Sequence, residues 1–539
     1  MAVRVRFAPS PTGQVHIGNI RAAIFNWLFA RHAGGAFLLR IEDTDLERST
    51  PAAITTLLDV MQWLGLDVDA EPMYQTQQRG EHTRAAARLL AQGDAYKSAK
   101  GGEGQAIIFR IPWEAERVPG VSVTGPAQVA VHAAEALRIG PDGVQFATLS
   151  AKGTPAPGGA CLAGFRDLEV ADAAGQVRFR LNDVIDRVLA GESFTVDGAA
   201  QLRFTRRSIT YQDLVKGALS KPLDSLRDFV IVRSDGSPVF HLANVVDDVT
   251  MQITHIIRGD DHVENTYRHL FLFQALGAVA PAYAHLPMIV NASGKPYSKR
   301  DGDAFVGDFR DKGFLPEALF NYLTLLGWNP GDEREKLSRA ELVQAFSLER
   351  VQQSSAQMDA MKLLNLNGQY LADLPFETFL AGARQLAAER PWGQTPDETR
   401  LLAVARLLQS RTKLWTDVIG WEHFFVDLPG YDDKAVRKFL AKPGIPEALE
   451  SLATALAQAD FATPAAIEAV VAAVTTGCGI EPGRLNQPIR VAITGCTVGA
   501  GVYETLSVLG RETVRRRLSH AVTLARATSG PAEQKAGAP

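Results

Sequence analysis

The spacing of apolar residues changes twice within the first sixty positions. Val3, Val5 and Phe7 alternate with Arg4 and Arg6, which is the period of a strand. Pro9-Ser10-Pro11-Thr12-Gly13 must then be a loop, because proline interrupts both regular structures. From Ile20 onward, Ile20, Ile24, Trp27 and Leu28 recur at helical spacing. Phe37-Leu38-Leu39-Arg40-Ile41 predicts a second strand. Ile54, Leu57, Leu58 and Met61 predict a second helix, begun by Ser49/Thr50-Pro51. This β-loop-α-β-α order predicts an α/β fold with a doubly wound sheet, whose ligands sit at the carboxyl ends of the strands.

The pattern shifts between about 98 and 205. Glycine and proline become frequent, as in Pro155-Ala156-Pro157-Gly158-Gly159. Short apolar runs at Ala106 to Ile111, Gln176 to Leu181 and Arg203 to Thr205 lie between turn signals. This predicts an inserted domain with β content. Alternating α/β patterning returns by Asp228-Phe229-Val230-Ile231-Val232. From about 336 to 526 the periodicity is almost wholly helical, and Ala527 to Pro539 is a small, polar tail expected to be disordered.

Length and composition narrow the class. At roughly 150 residues per domain, 539 residues suggest three or four domains. Hydrophobic residues at 46% rule out wholesale disorder. The net charge of −4 does not advertise a nucleic-acid binder, although a local basic face stays open. Cys161, Cys478 and Cys496 form no CxxC pair, which argues against a disulfide framework and a thiolate zinc site. The N-terminus lacks signal-peptide character and no run of about 18 apolar residues occurs, so no membrane association is expected and the cytoplasm is the expected location.

Two segments carry candidate chemistry. His16-Ile17-Gly18-Asn19 follows a strand and opens a helix, where unpaired N–H groups attract phosphate. Gly18 would let a bulky ligand approach the backbone, and His16 could donate to a phosphate oxygen. An ordinary turn with a chance histidine is the competing reading. In Ser293-Gly294-Lys295-Pro296-Tyr297-Ser298-Lys299-Arg300-Asp301-Gly302, glycines bracket three cations, as in a mobile loop that neutralises a polyphosphate. A solvated charge run is the alternative there.

Together these segments resemble the two signatures of class I aminoacyl-tRNA synthetases, usually written HIGH and KMSKS. Arg40 to Asp45, Asp235-Gly236, His241 to Asp248, Thr254 to His262, Gly313 to Leu319 and Asn321-Tyr322-Leu323 are similar to glutamyl-tRNA synthetases. Asp359, Lys362-Leu363 and Asn365 to Tyr370 resemble that family's stem segment. Gln487-Pro488-Ile489-Arg490 with Leu509-Gly510 resembles its C-terminal helical domain.

The resemblance implies a class I Rossmann-like catalytic domain (1–97 and 228–335) and an inserted α+β acceptor-stem-binding domain (98–227). That insert is enlarged near 114–205. An all-α part follows, with a stem-contact region (336–385) and an anticodon-binding region (386–526); the tail is 527–539. It implies activation of L-glutamate with ATP, carried with Mg²⁺, and transfer to the 3′-terminal adenosine of tRNA(Glu), with tRNA(Gln) as a second acceptor left open. The chain is taken as a monomer.

Residue by residue, the resemblance makes His16, Lys299 and Arg300 catalytic. It assigns Pro9, Thr12, His16, Gly18, Asn19, Asp261, His262, Ser298 and Lys299 to ATP. It assigns Arg6, Ala8, Ser10, Glu42, Phe240, Asn244 and Arg258 to glutamate, with Arg6 reading the side-chain carboxylate, Glu42 the ammonium and Arg258 the α-carboxylate. Arg411, Arg484 and Arg490 are candidate tRNA contacts. Residues 480–527 hold seven arginines against three glutamates, a surplus suited to phosphate. Arg515, Arg516 and Arg517 cannot all share one helix face. Trp415, Trp421, Phe424 and Phe425 could stack on bases or fill a core.

Pro296 replaces the first lysine of the second signature, with Lys295 displaced by one place, so a stiffer loop is expected. Phe240 stands where the family often has tyrosine. Tyr96 to Gly101 lacks the cysteines that hold zinc in some members, so no zinc is expected. The segment near 114–205 is either an extra contact near the tRNA end or a tolerated surface insertion. The alternatives to a ligase are a catalytically silent tRNA-binding derivative and a same-fold nucleotidyltransferase. The long helical half disfavours the shorter nucleoside-modifying relative and the glutaminyl enzyme.

Overall fold

The computed structural model describes residues 2–528 apart from 46, 100–103, 133–135, 150–154, 396 and 429. It divides into two compact units: Met1–Asp308 with Phe320–Met358, and Phe309–Leu319 with Asp359–Pro539.

The first unit is built on parallel strands. Arg4–Phe7 is followed by helix Ile17–His32 and strand Ala36–Ile41, which pair in parallel from Arg4↔Ala36 to Phe7↔Leu39. Helix Pro51–Trp63 begins where expected. Thr50 Oγ1 accepts from the Ala53 amide at 3.2 Å, and Pro51 occupies the first turn, where its missing N–H costs nothing. The short strand Met73–Tyr74 then pairs in parallel with Arg40 and Ile41. Strands His255–Gly259 and Ala282–Leu286 form a second parallel pair, separated by helix Val263–Ala275. The Thr254 amide donates to Arg4 O at 2.9 Å, bringing the two pairs side by side. Val5, Phe37, Leu39, Ile256, Ile257 and Ala284 are buried in these strands, and Arg6, Arg40, Arg258 and His285 are buried among them.

The inserted region is antiparallel. Strand Gln201–Asp213 pairs with Val121–Ala130, Arg166–Ala171 and Gly217–Pro222. A separate sheet holds Phe194–Val196, Leu137–Gly140, Gly143–Leu149 and Pro155–Ala160. Leu137, Ile139, Val144, Phe165, Val170, Val188 and Leu202 give this region its own apolar core.

Two elements differ from expectation. Phe229–Val232 was expected to resume the α/β alternation, but it pairs antiparallel with Ala106–Phe109, which pairs with Ala95–Ser98. A short apolar run does not reveal its partner. The partner is set here by Asp228, which accepts from the Ile111 amide at 3.0 Å, and by the Phe109–Phe229 ring contact. An almost wholly helical pattern was also read from about 336. Between 336 and 359 only Arg339–Ala345 is α-helical, and Ala356–Gln357 forms a short parallel pair with Ile289–Val290.

The second unit is helical from Ala360–Ala372 to Arg511–Thr528. Its core gathers Phe379, Val404, Trp421, Leu449, Leu452, Ile489, Leu506 and Leu518. The last helix includes Ala527 and Thr528; the rest of the expected tail, 529–539, lies outside the described residues.

Candidate active site

The carboxyl ends of four strands open on one cleft of about 700 Å³ in the first unit. Strand Arg4–Phe7 delivers Arg6, Ala8, Pro9, Ser10 and Thr12, and strand Ala36–Ile41 delivers Glu42. Strand His255–Gly259 delivers Arg258, Asp261 and His262, and strand Ala282–Leu286 leads to Pro287 and Met288. Helix Ile17–His32 presents its N-terminus, with His16, Gly18 and Asn19, and helix Phe240–Thr250 adds Phe240 and Asn244.

His16 caps its helix. Its Nδ1 accepts from the Gly18 amide at 3.0 Å, and the ring also bonds the backbone of Tyr297. Burial pulls the imidazole below its ordinary pKa, so it is neutral at pH 7 and its Nε2 carries the hydrogen. A Cβ at Gly18 would stand 3.2 Å from His16 Nδ1 and crowd the ring. Phe305 packs edge-on against His16 at 6.0 Å, and the Lys299 ammonium lies 5.8 Å from that Phe305 ring.

The opposite wall is a buried charge network. Arg6 Nε donates to Asp248 Oδ1 at 2.9 Å. Arg40, fully buried, reaches Asp248 at 2.5 Å, Glu42 at 3.1 Å and Asp247 at 3.8 Å. Gln75 and His82 complete the shell of Asp247, each at 2.7 Å. Burial raises the Glu42 carboxyl above its usual range, although Arg40 opposes it. Glu42 Oε1 accepts from Asn244 Nδ2 at 2.9 Å, which leaves the buried Asn244 Oδ1 with no partner. Arg258 is different again. It donates to His285 Nε2 at 3.2 Å, His262 O at 3.1 Å and Thr266 Oγ1 at 2.8 Å, and it has no ion pair among the described residues. A buried cation held only by neutral acceptors keeps its charge uncompensated by a direct carboxylate contact, and this one opens on the cleft.

All seven residues expected at glutamate line this cleft, as do Pro9, Thr12, His16, Gly18, Asn19, Asp261 and His262. His262 stacks on Phe240 with ring centroids 5.9 Å apart. Ser298, Lys299 and Arg300 are not part of the lining, which ends in that loop at Pro296 and Tyr297. Asn291 and Asp301 tie this loop down. Asp301 accepts from the Ser298 amide and hydroxyl and from Asn291 Nδ2, and Asn291 Oδ1 accepts from the amides of Ser293 and Lys295. Pro296 sits in an isolated antiparallel bridge with Val290. Arg21, Pro287, Met288 and Tyr297 also line the cleft and were not anticipated. The carboxyl-end rule would have found Pro287 and Met288. Arg21 gives no sequence signal, since it resembles any helical arginine.

Among the described residues, no cluster of three or more His, Cys, Asp or Glu is disposed to hold a metal ion. In the helical unit, Arg411 is exposed near Arg490, whose guanidinium also bonds Ala500 O, and Arg484 pairs with Glu481 at 3.5 Å. Arg517 is buried and donates to Val426 O at 2.8 Å, so it is structural. Trp421 and Phe424 are buried, Trp415 stacks on Phe379 and Phe425 on Trp392, which spends the candidate base-stacking rings on packing.

Comparison with known proteins identifies the family. Residues 2–104 and 191–365 match the family model for tRNA synthetases class I (E and Q), catalytic domain, and residues 377–522 match an anticodon binding domain. The chain belongs to this class I synthetase family. It is 37% identical over 465 residues, 85% of each chain, to glutamate–tRNA ligase 2 of Koribacter versatilis. It is 36% identical to the glutamate–tRNA ligase of Geobacter sulfurreducens over 96% of this chain and 98% of that one. The crystal structure of a glutamate tRNA ligase from Elizabethkingia meningosepticum, in complex with its amino acid, superposes with a TM-score of 0.70 at 26% identity, covering 98% of this chain and all of the other. No helix among the described residues is long and apolar enough to cross a membrane.

Proposed function

We propose that the cleft activates L-glutamate with ATP and passes the glutamyl group to the 3′-terminal adenosine of tRNA(Glu). The observation that carries this reading is the wall formed by Arg6, Glu42, Asn244 and Arg258. It offers two cations at separate points and, beside the Glu42 carboxylate, the buried Asn244 Oδ1, which accepts no hydrogen bond. A ligand with two carboxylates and one ammonium matches that arrangement. Arg258 takes the α-carboxylate and Arg6 the side-chain carboxylate, while Asn244 Oδ1 and Glu42 take the ammonium.

ATP lies toward the helix N-terminus, where Pro9, Thr12, Gly18, Asn19, Asp261 and His262 surround it. An α-carboxylate oxygen attacks the α-phosphorus, and the bond to the leaving pyrophosphate breaks. Neutral His16 turns its Nε2 hydrogen from the Tyr297 backbone to the phosphate as charge grows there, and the helix N-terminus adds fixed positive potential. Lys299 and Arg300 approach from the tethered loop to stabilise pyrophosphate, helped by Ser298. Mg²⁺ is assigned to the phosphates of ATP, whose charge it shields. The adenylate is then attacked by the terminal ribose hydroxyl, releasing AMP. Arg411, Arg484 and Arg490 are assigned to tRNA phosphate, and tRNA(Gln) is a second acceptor to be tried.

Replacing Arg6 with Leu tests the substrate assignment. Loss of a charge-assisted hydrogen bond, worth about 1.5–3 kcal/mol, should raise the glutamate KM by roughly 10- to 100-fold in ATP–pyrophosphate exchange with tRNA present. An unchanged glutamate KM would remove Arg6 from the substrate's side chain.

A further inference from the structure

One buried pair beneath the cleft has no role in the chemistry above. Asp213 ends strand Gln201–Asp213, and His285 lies in strand Ala282–Leu286; the two strands meet in parallel where Asp213 pairs with Tyr283. Both side chains are fully buried, and Asp213 Oδ2 bonds His285 Nδ1 at 2.6 Å. Asp213 Oδ1 accepts from the amides of Val215 at 2.9 Å, Lys216 at 2.8 Å and His285 at 3.2 Å. Burial works against ionisation, but these bonds hold the Asp213 carboxyl below its usual range.

An ionised carboxylate can only accept, so His285 Nδ1 must carry the hydrogen. Burial keeps the imidazole neutral, which leaves a lone pair on Nε2. That nitrogen faces Arg258 Nε at 3.2 Å and Thr266 Oγ1 at 3.3 Å, and Thr266 Oγ1 accepts from Arg258 Nη2 at 2.8 Å. A carboxylate touching Arg258 directly would neutralise it and compete with the substrate. A neutral imidazole orients the guanidinium and leaves its charge unspent.

We infer that Asp213 and His285 are positioning residues for amino-acid binding: Asp213 fixes the tautomer of His285, and that tautomer supplies the acceptor that aims Arg258 at the substrate's α-carboxylate. The inference rests on the assignment of Arg258 to that carboxylate.

The test is Asp213→Asn in the full-length chain, assayed by ATP–pyrophosphate exchange with tRNA present. The amide oxygen still accepts the backbone amides, but Nδ2 donates where Oδ2 accepted. His285 must then move its hydrogen to Nε2 and present it to the Arg258 N–H. The glutamate KM should rise about tenfold or more, with the ATP KM and kcat changing less than about threefold. In an Arg258→Gln background, Asp213→Asn should add nothing, because the pair acts only through that cation. His285→Gln carries its own amide oxygen and should restore the glutamate KM in the presence of Asp213→Asn. Should Asp213→Asn not fold, Thr266→Val removes another acceptor of the same guanidinium and should raise the glutamate KM alone. Additive effects in the Arg258→Gln cycle, or equal rises in both KM values, would overturn the positioning role. An unchanged glutamate KM in Arg258→Gln itself would instead overturn the assignment on which it rests.

Discussion

Arg6 and Arg258 line the cleft and Arg40 is fully buried beside Glu42, and the three guanidinium groups are held in three ways. Arg40 is spent on three carboxylates, Arg6 shares its Nε edge with Asp248, and Arg258 meets only neutral acceptors. The graded compensation sets what each can still bind. Substitution of Arg40 would remove the cation that Asp248, Asp247 and Glu42 share, so Arg40→Leu should cost on the order of 3–5 kcal/mol of stability, read as a lowered denaturation midpoint. A midpoint within error of the parent would show the network to be dispensable. Arg6, Glu42, Asn244 and Arg258 were legible in the sequence because each sits inside an ordered motif. Asp213, His285 and Arg21 were not, because their partners lie far away in the chain.

Histidines add a pH prediction at the same scale. Burial pushes His241 down to about 4, and its neighbour His269 well below the ordinary value. In the unfolded chain both titrate near 6.5, so the unfolded state binds more protons below that pH, and stability is lost as pH falls from about 6.5 toward 4. Asp228, pushed up to about 7, works in the opposite direction over the same window. His241→Asn should therefore show a shallower decline of Tm between pH 6.5 and 4 than the parent. Parallel Tm curves would refute a buried neutral His241.

At the scale of elements, the site depends on a helix N-terminus and a tethered loop. Strand–loop–helix order at 4–32 was readable because proline, glycine and a helical period follow one another without interruption. The loop from 291 to 301 was readable only as a run of glycines and cations. Its tether by Asn291 and Asp301 is a matter of side chains bonding local backbone, which spacing does not encode. Asp301→Ala frees the turn that carries Lys299 and Arg300. Loss of that placement should lower kcat for adenylate formation by about tenfold with little change in glutamate KM. An unchanged kcat would mean that the tether does not serve catalysis. Phe229–Val232 and 346–359 were misread for a related reason: both are short stretches whose conformation is chosen by distant partners.

At the scale of the whole molecule, a parallel α/β unit with an antiparallel insert is followed by a helical unit. The change of period signalled a helical part but put its start near 336, whereas the helical unit takes Phe309–Leu319 and then begins again at Asp359. That one of Arg515, Arg516 and Arg517 had to leave the exposed face was legible, though not that Arg517 is the buried one, and the aromatic candidates take the packing use that was one of their two readings. The exposed Arg411 is the better placed cation. Arg411→Ala should weaken tRNA binding and reduce the slope of log affinity against log salt by about one, leaving glutamate KM unaltered. An unchanged slope would remove Arg411 from phosphate contact.

The most direct test of the account is aminoacylation by the full-length chain with radiolabelled glutamate and glutamine, each offered to purified tRNA(Glu) and tRNA(Gln). The cleft's paired cations predict glutamate, and not glutamine, esterified to tRNA(Glu); product on tRNA(Gln) as well would widen the acceptor range without altering the amino-acid assignment. Glutamine charged in preference to glutamate, or no acylated product despite measurable tRNA binding, would contradict it.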